Sequence, residues 1–522
     1  MRAPTAVLLL TLGLASLAGA KPLTFALAGE PVNLDPATTG DANSAYVEAQ
    51  IYNSLVDFKP GSMTVVPDLA QSWTVSADGL TWTFKLRKDV KFSDGTPFNA
   101  EAVRFNVLRW WDQDAPYGAK ATGKSFLNWQ NNLGGFKGEA GSILKDVRVT
   151  DPYTVQLILA KPFPSLTAVL AGGGSFGIAS PTAIKKNAQQ YGTPAVGAVG
   201  TGPYLFKGWT SGDSVVLARN PNFYKPGLPK SETVTFRFIK DASARLNELK
   251  SGTVDLATDL LPDQLQAIKA DARLRPALRE SLNVGYLAFN TTYKPLASAQ
   301  VRTALAMAIN RKAIVDGFWN GLGVANAHLT PPVLGSGYSK NVTDYPYDPA
   351  GAKKILAAAG FPNGFTLDLW YMPVARPYYP SPKAIAEAMA ADLTAAGIKV
   401  TLRTEDWGKY LEDRQAGKFQ AFMLGQVSTS DPIASYSSIM GPTSTGDIGW
   451  KNAAFDKALD AALRQPTDAA RIPYFQTIDE LLFREAVRVP IVHARLLAVS
   501  SVNVKGWVPS PNGNEPLSSV TK

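Results

Sequence analysis

Along "TWTFKLR" the apolar residues Trp82, Phe84 and Leu86 alternate with Thr83, Lys85 and Arg87, the period-two pattern of a strand buried on one face. "VTFRFIK" repeats the pattern with Val234, Phe236 and Phe238. Between them, Asp94-Gly95 signals a turn and "NAEAVRFNVLRWW" predicts an amphipathic helix starting near Asn99. Further on the rhythm changes. "FTLDLWYM" predicts a strand over Phe365–Met372, Ser381 a cap for a helix with Pro382 at its first position, and Ala384–Ala396 a helical run that stops at Gly397. "IKVTLRT" is the next strand, Trp407–Ala416 a short helix and "FQAFMLG" a third strand. Ala453–Arg464 and Ala469–Ala486 then show helical spacing of apolar residues. The middle of this series reads β-α-β-α-β, the grammar of a mostly parallel sheet covered by helices.

That grammar has a functional consequence, because open parallel sheets bind ligands outside the carboxyl ends of their strands. "MPVARPYYPSP" leaves the end of the first of these strands and "GQVSTSDP", Gly425–Pro432, leaves the end of the third. Both loops are expected on one sheet edge. The first holds four prolines in eleven residues, with Arg376 among them. A guanidinium offers a planar fork that matches a carboxylate bidentately. Pro377 biases Arg376 toward extended angles, and Pro373 and Pro380 restrict the loop further. A site rigid before binding loses less entropy when its ligand arrives.

Composition narrows the field. At 522 residues the chain exceeds one ordinary core, and 45% hydrophobic with 18% charged residues is the balance of a folded protein. Zero cysteines exclude disulfides, thiolate metal sites and thiol nucleophiles. His328 and His493 are far apart in sequence and give little material for a His-rich metal site or a Ser–His triad. The net charge of +9 is dispersed, with nothing denser than pairs such as Lys185-Lys186, so no nucleic-acid partner is expected. Residues 1–20, "MRAPTAVLLLTLGLASLAGA", carry an early Arg2, a short apolar run and Ala18-Gly19-Ala20. This reads as a signal peptide cleaved after Ala20, leaving no cysteine for lipid attachment and no later span long enough to cross a membrane.

Enzyme motifs fail. Gly172, Gly174 and Gly177 fit G-x-G-x-x-G, while Gly173-Gly174-Ser175-Phe176-Gly177 fits G-x-S-x-G. One six-residue stretch cannot serve both, and a glycine turn explains it. HExxH, EF-hand and Walker A patterns are absent from the sequence. Paired carboxylates for glycoside hydrolysis leave no linear motif, and no positive sign of them occurs. No cofactor and no metal are expected.

Several blocks resemble the family 5 solute-binding proteins of ABC importers. These are "LAQSWTVSADGLTWTFKLRKDVKFSDGTPFNAEAVRF" at Leu69–Phe105, "VGTGPYLFKGW" at Val199–Trp209, "ARNPNFYKPG" at Ala218–Gly227 and "GYLAFNTTYKPLASAQVRTALAMAINRKAIV" from Gly285. "YDPAGAKKILAAAGF" at Tyr347–Phe361 and "NAAFDKALDAA" at Asn452–Ala462 complete the set, in the family's order. The resemblance implies an α/β, three-lobe periplasmic binding protein-like (type II) fold, with two α/β lobes closing on a ligand cleft plus an additional lobe. It places lobe I at 21–58, 195–285 and 495–522, lobe II at 59–194 and lobe III at 286–494. It implies a non-enzymatic, secreted receptor, expected as a monomer, that captures di- or oligopeptides and delivers them to a membrane permease with its ATPase subunits.

"LWYMPVARPYYP" is most similar to the dipeptide-binding branch, where the matching arginine, Arg376 here, grips the peptide's terminal carboxylate. The branch's next motif, Gly-Trp-x-x-Asp, supplies an aspartate for the ligand's ammonium. Here Gln426 replaces the tryptophan, Thr429 falls at the aspartate position and the nearest carboxylate is Asp431. A charge-assisted hydrogen bond contributes about 1.5–3 kcal/mol net, whereas a buried ammonium without its counter-charge costs roughly 3–5 kcal/mol. Either Asp431 swings in as a substitute, or the ligand carries a carboxylate and no free amine. "ALAGEPVNLDP" occupies lobe I's cleft edge in the family and brings Glu30 and Asn33 into consideration. Trp407 either stacks on a ligand or packs the core, and the core is favoured. Rival readings are a hydrolase on the same scaffold, and a carrier for an organic acid or an oligosaccharide, for which Trp110, Trp111 and Trp129 supply stacking surfaces.

Overall fold

The chain begins one sheet, leaves it to build a separate unit, and returns. Strand β1 (Leu23–Leu27) is buried almost throughout. The excursion holds a short hairpin, β2 (Val56–Phe58) with β3 (Val65–Pro67), and an antiparallel sheet of β4 (Ala70–Val75), β5 (Thr81–Leu86), β6 (Leu144–Asp151) and β7 (Thr154–Leu159), ordered β4-β5-β7-β6. The predicted alternation holds in β5, where Trp82, Phe84 and Leu86 point inward. Asn99 caps the helix Ala100–Trp111 as expected, its Oδ1 accepting from the Ala102 amide at 3.0 Å. Trp110, Trp111 and Trp129 are buried in this unit's core. The apolar bodies of their rings are spent on packing, which removes them as a sugar-stacking surface. The structure, a computed structural model, describes residues 21–38, 41–172, 174, 176–280, 282–427, 431–441, 446–465 and 467–522. The expected signal peptide and Gly173 and Ser175 of the glycine stretch lie outside them.

The chain then returns with β8 (Tyr204–Thr210), β9 (Ser214–Arg219), β10 (Thr233–Phe238), β11 (Leu256–Leu260) and β12 (Leu274–Arg279). Strand β1 inserts between β10 and β11, parallel to both. A second sheet follows from β13 (Asn283–Phe289), β14 (Gly323–Val324), β15 (Thr366–Trp370), β16 (Lys399–Arg403), β17 (Ala421–Val427) and β18 (Arg488–Ala494). Strand β19 (Leu496–Ser501) goes back to the first sheet. The strand orders are β12-β19-β11-β1-β10-β9-β8 and β14-β18-β13-β17-β15-β16. The two α/β lobes are thus linked where β12 gives way to β13 and where β18 gives way to β19 at Arg495, and the Arg495 and Glu280 side chains pair at 2.7 Å. All of β13 belongs to the second sheet, whereas a boundary at 285–286 would cut it. The strand is buried on both faces and has no alternation to mark where the hinge ends.

β15 runs parallel to both β16 and β17, which is the predicted β-α-β-α-β unit. Its first helix, Pro382–Ala395, starts where expected, but Ser381 makes no side-chain cap hydrogen bond. Proline's fixed φ starts the helix without it. Because the strands are parallel, their carboxyl ends share one edge.

The loop after β1 is fastened to the unit that holds the antiparallel sheet by buried charge. Both oxygens of Asp35 meet the Arg109 guanidinium, one at 2.8 Å, and Lys124 Nζ lies 2.8 Å away. Burial alone would raise the Asp35 carboxyl, but Arg109 and Lys124 hold it below the usual carboxylate range. Asp35→Asn strands two cations and should lower the unfolding free energy by roughly 3–5 kcal/mol in a urea titration. A depressed folded-state value makes this stabilisation fully present above the unfolded-state pKa of about 3.9 and lost as pH falls through the folded one. The variant should therefore lose less stability on acidification than the parent.

Candidate functional site

The loop after β15 is pinned by its backbone and its tyrosines. Arg376 N donates to Tyr379 O at 3.0 Å and Tyr379 N to Arg376 O at 2.8 Å, closing a two-residue turn over Pro377 and Tyr378. Trp319 Nε1 donates to Pro377 O at 3.0 Å, and the fully buried Tyr379 lies against the Trp319 ring. Tyr378 occupies space that glycines leave open. Gly285 and Gly425 face each other across β13 and β17; a Cβ on Gly425 would fall 2.2 Å from the Tyr378 ring, and one on Gly285 2.7 Å from its carbonyl oxygen. Burial pushes the Tyr378 hydroxyl up from its ordinary pKa, with Arg376 opposing that shift, so it stays a hydrogen-bond donor at neutral pH.

Arg376 itself is exposed. Its Nη1 donates to the neighbouring Ala375 carbonyl at 3.1 Å, and its guanidinium lies 5.4 Å from the centroid of the Trp407 ring. No described carboxylate pairs with it. Trp407 is half-buried and stacks on Tyr410 at 5.8 Å. It packs against the lobe, as favoured, and also offers a face to Arg376. Asp406 caps the helix Trp407–Gln415 through the Gly408 amide at 3.0 Å. Glu405, between Asp406 and the end of β16, is half-buried and its Oε1 is enclosed without a hydrogen-bond partner.

The remaining expected residues divide differently. Asp431 is buried at the N-terminus of the helix Pro432–Met440, accepting from the Ile433 amide at 2.7 Å. Arg471 grips both of its oxygens, one at 2.8 Å. To swing toward an amine, Asp431 would have to abandon a buried guanidinium, at a cost of roughly 3–5 kcal/mol; its geometry is that of a structural ion pair. Gln426 sits half-buried on β17, opposite Val284. Thr429 lies outside the described residues. On the first sheet, Glu30 follows β1 and accepts from Trp209 Nε1 at 2.8 Å, Ser211 Oγ at 2.7 Å and the Gly212 amide at 3.0 Å. Burial would raise its carboxyl, and these bonds hold it below the usual range instead. Asn33 folds its own loop, accepting from the Asp35 amide at 2.7 Å. Both are committed to shaping lobe I's edge.

The two histidines are structural as well. His328 Nδ1 meets Asp479 at 2.9 Å. His493 lies between the carbonyls of Asn283 and His328, and burial lowers its pKa to about 4. Among the described residues no three His, Cys, Asp or Glu side chains gather as a metal site, and no helix is long and apolar enough to cross a membrane. Of the expected residues, Arg376 and Trp407 lie together, and the sequence did not single out Tyr378 or Gly425 beside them. The glycine opposition needs strand register to be seen.

Comparisons with known proteins give the chain a family. The family model described as bacterial extracellular solute-binding proteins, family 5 middle, matches residues 64–447. Heme-binding protein A of Haemophilus influenzae is 32% identical, over 95% of this chain and 91% of its own length. The dipeptide-binding protein of Escherichia coli K12 is 30% identical, over 96% of this chain and 95% of its own. Among solved structures, the dipeptide binding protein of Pseudoalteromonas sp. SM9913 in complex with Met-Leu matches with a TM-score of 0.74 and 26% identity, covering 96% of this chain and 100% of that one. These relatives are solute-binding proteins rather than enzymes.

Gly425→Ala places a methyl group into the Tyr378 ring and should displace the Arg376 turn. Overpacking of this kind costs typically about 1–3 kcal/mol; a thermal melt should fall accordingly, whereas an unchanged melt would mean that Tyr378 moves freely.

Proposed function

Because this chain belongs to the bacterial extracellular solute-binding proteins of family 5, we propose that it traps a short peptide by its terminal carboxylate and passes it to a membrane ABC permease. The observation that carries this reading is Arg376. It is an exposed guanidinium without a counter-charge, on a turn held by two backbone hydrogen bonds at 3.0 and 2.8 Å and by two packed tyrosines. Such a group matches a carboxylate bidentately and has its backbone entropy already spent. Trp407 and the Tyr378 hydroxyl add a ring face and a donor beside it.

The rest of the reading follows from that capture. Arg376, Trp407 and Gln426 form the lobe III side of the cleft, and the loop shaped by Glu30 and Asn33 forms the lobe I side. Residues 1–20 direct export and are removed after Ala20. The receptor works as a monomer without a cofactor, and the energy for uptake is supplied by the permease's ATPase subunits. The ligand leaves unchanged, so peptides incubated with the pure protein stay intact. A second reading is favoured by the heme-binding name of the Haemophilus relative: Arg376 would hold a propionate carboxylate as readily as a peptide's.

Native mass spectrometry of freshly purified protein should find a carboxylate-bearing ligand, with a peptide mass for the first reading and a porphyrin mass for the second. Arg376→Ala should weaken that ligand about 10- to 100-fold in calorimetry, the equivalent of one charge-assisted pair. Unchanged affinity would reject the clamp.

A further inference from the structure

The parallel strands β15 and β16 end side by side, and the segment after each carries a charge that no described residue neutralises. After β15 it is Arg376, resting over Trp407. After β16 it is Glu405, whose Oε1 is enclosed without a donor. An anion that gives up hydration without a hydrogen bond in exchange is unfavourable, and three buried aspartates are each met by an arginine. Asp35 is met by Arg109, Asp431 by Arg471 and Asp447 by Arg488.

The groups near Glu405 that could satisfy it are engaged elsewhere. Lys409 Nζ bonds Asp413 at 2.7 Å, and the Tyr410 hydroxyl donates to Met423 O at 2.7 Å. The residues on either side of Glu405 are themselves anchored. Thr404 Oγ1 donates to Tyr371 O at 3.0 Å, and Asp406 caps the following helix. Arg376 and Glu405 make no ion pair with each other, although both belong to the same edge. Two opposite charges held separately on adjacent strand ends complement a ligand that carries both signs itself.

We propose that Glu405 receives the cationic end of the ligand whose carboxylate Arg376 holds, so that the site selects zwitterions with an unblocked amine. This rests on the peptide reading above and supplies what that reading lacks, since Asp431 is committed to Arg471. It differs from both alternatives left open by the sequence. The ligand has its free amine, and a different carboxylate takes it.

The test uses three pooled dipeptide libraries, free, N-acetylated and C-amidated, offered to the full-length protein and to Glu405→Gln, with retained masses read by native mass spectrometry. The parent should keep free dipeptides and disfavour acetylated ones about 10- to 100-fold. In Glu405→Gln the free dipeptides should weaken by a similar factor and the preference over acetylated ones should vanish, while amidated ones stay disfavoured. Glu405→Asp, which keeps the charge, should restore part of the preference and guards against a folding defect. If Glu405→Gln still rejects acetylated peptides as strongly as the parent, the Glu405 assignment is overturned and the peptide reading stands. If the parent retains nothing from any pool, the peptide reading fails and the assignment fails with it.

Discussion

The reciprocal pair of backbone hydrogen bonds between Arg376 and Tyr379 is the constraint on which the site depends. Those bonds close a turn whose two central residues are a proline, fixed in φ, and a tyrosine seated over two glycines. With Tyr379 buried beneath and Trp319 holding the Pro377 carbonyl, little of the turn is free to move except the arginine side chain. The Trp407 face limits that motion in turn, since a guanidinium over an aromatic ring gains roughly 0.5–1 kcal/mol at exposed sites. This is enough to bias the side chain's position and too little to resist a carboxylate.

The contrast with the other arginines gives this meaning. Arg109, Arg279, Arg471 and Arg488 are all buried, and each is matched by an acid: Asp35, Glu515, Asp431 and Asp447. The fold thus uses its carboxylates where removing a partner would leave a stranded charge. Glu30 follows the same economy with neutral donors, bracing the β8–β9 hairpin against the loop after β1. Arg376, exposed and without such a match among the described residues, stands apart from these four arginines.

Much of the second sheet's carboxyl edge was legible in the sequence. Alternation in β5 and β10 and the β-α-β-α-β series around β15 depend on local periodicity, and proline spacing around Arg376 announces a stiff loop. Other features depend on register or on distant partners. Gly285 and Gly425 become a pair only once β13 and β17 align antiparallel. Asp431 looks like a spare acid until the helix Asp468–Glu485 brings Arg471 against it. Glu405 carries no signal at all, because an unsatisfied oxygen is a property of its surroundings. The end of lobe I was hidden for a related reason: "NVGYLAF" is uniformly apolar, and nothing local distinguishes a hinge-proximal strand from any other buried one.

The hinge argues for a ligand-driven equilibrium. Two crossings join the α/β lobes, and the ion pair between them, Arg495 with Glu280, is substantially exposed. Exposed pairs contribute about 0–1 kcal/mol. From lobe III to lobe II, Arg471 Nη2 reaches Ser165 Oγ at 3.4 Å, at the long limit for a hydrogen bond. Neither of these two polar contacts by itself fixes the angle between lobes. The balance between open and closed forms then shifts by as much as the ligand's affinity differs between them. A ligand held on lobe III alone would leave that balance where it was. Under the proposed function, closure requires the edge shaped by Glu30 and Asn33 to meet the same ligand as Arg376.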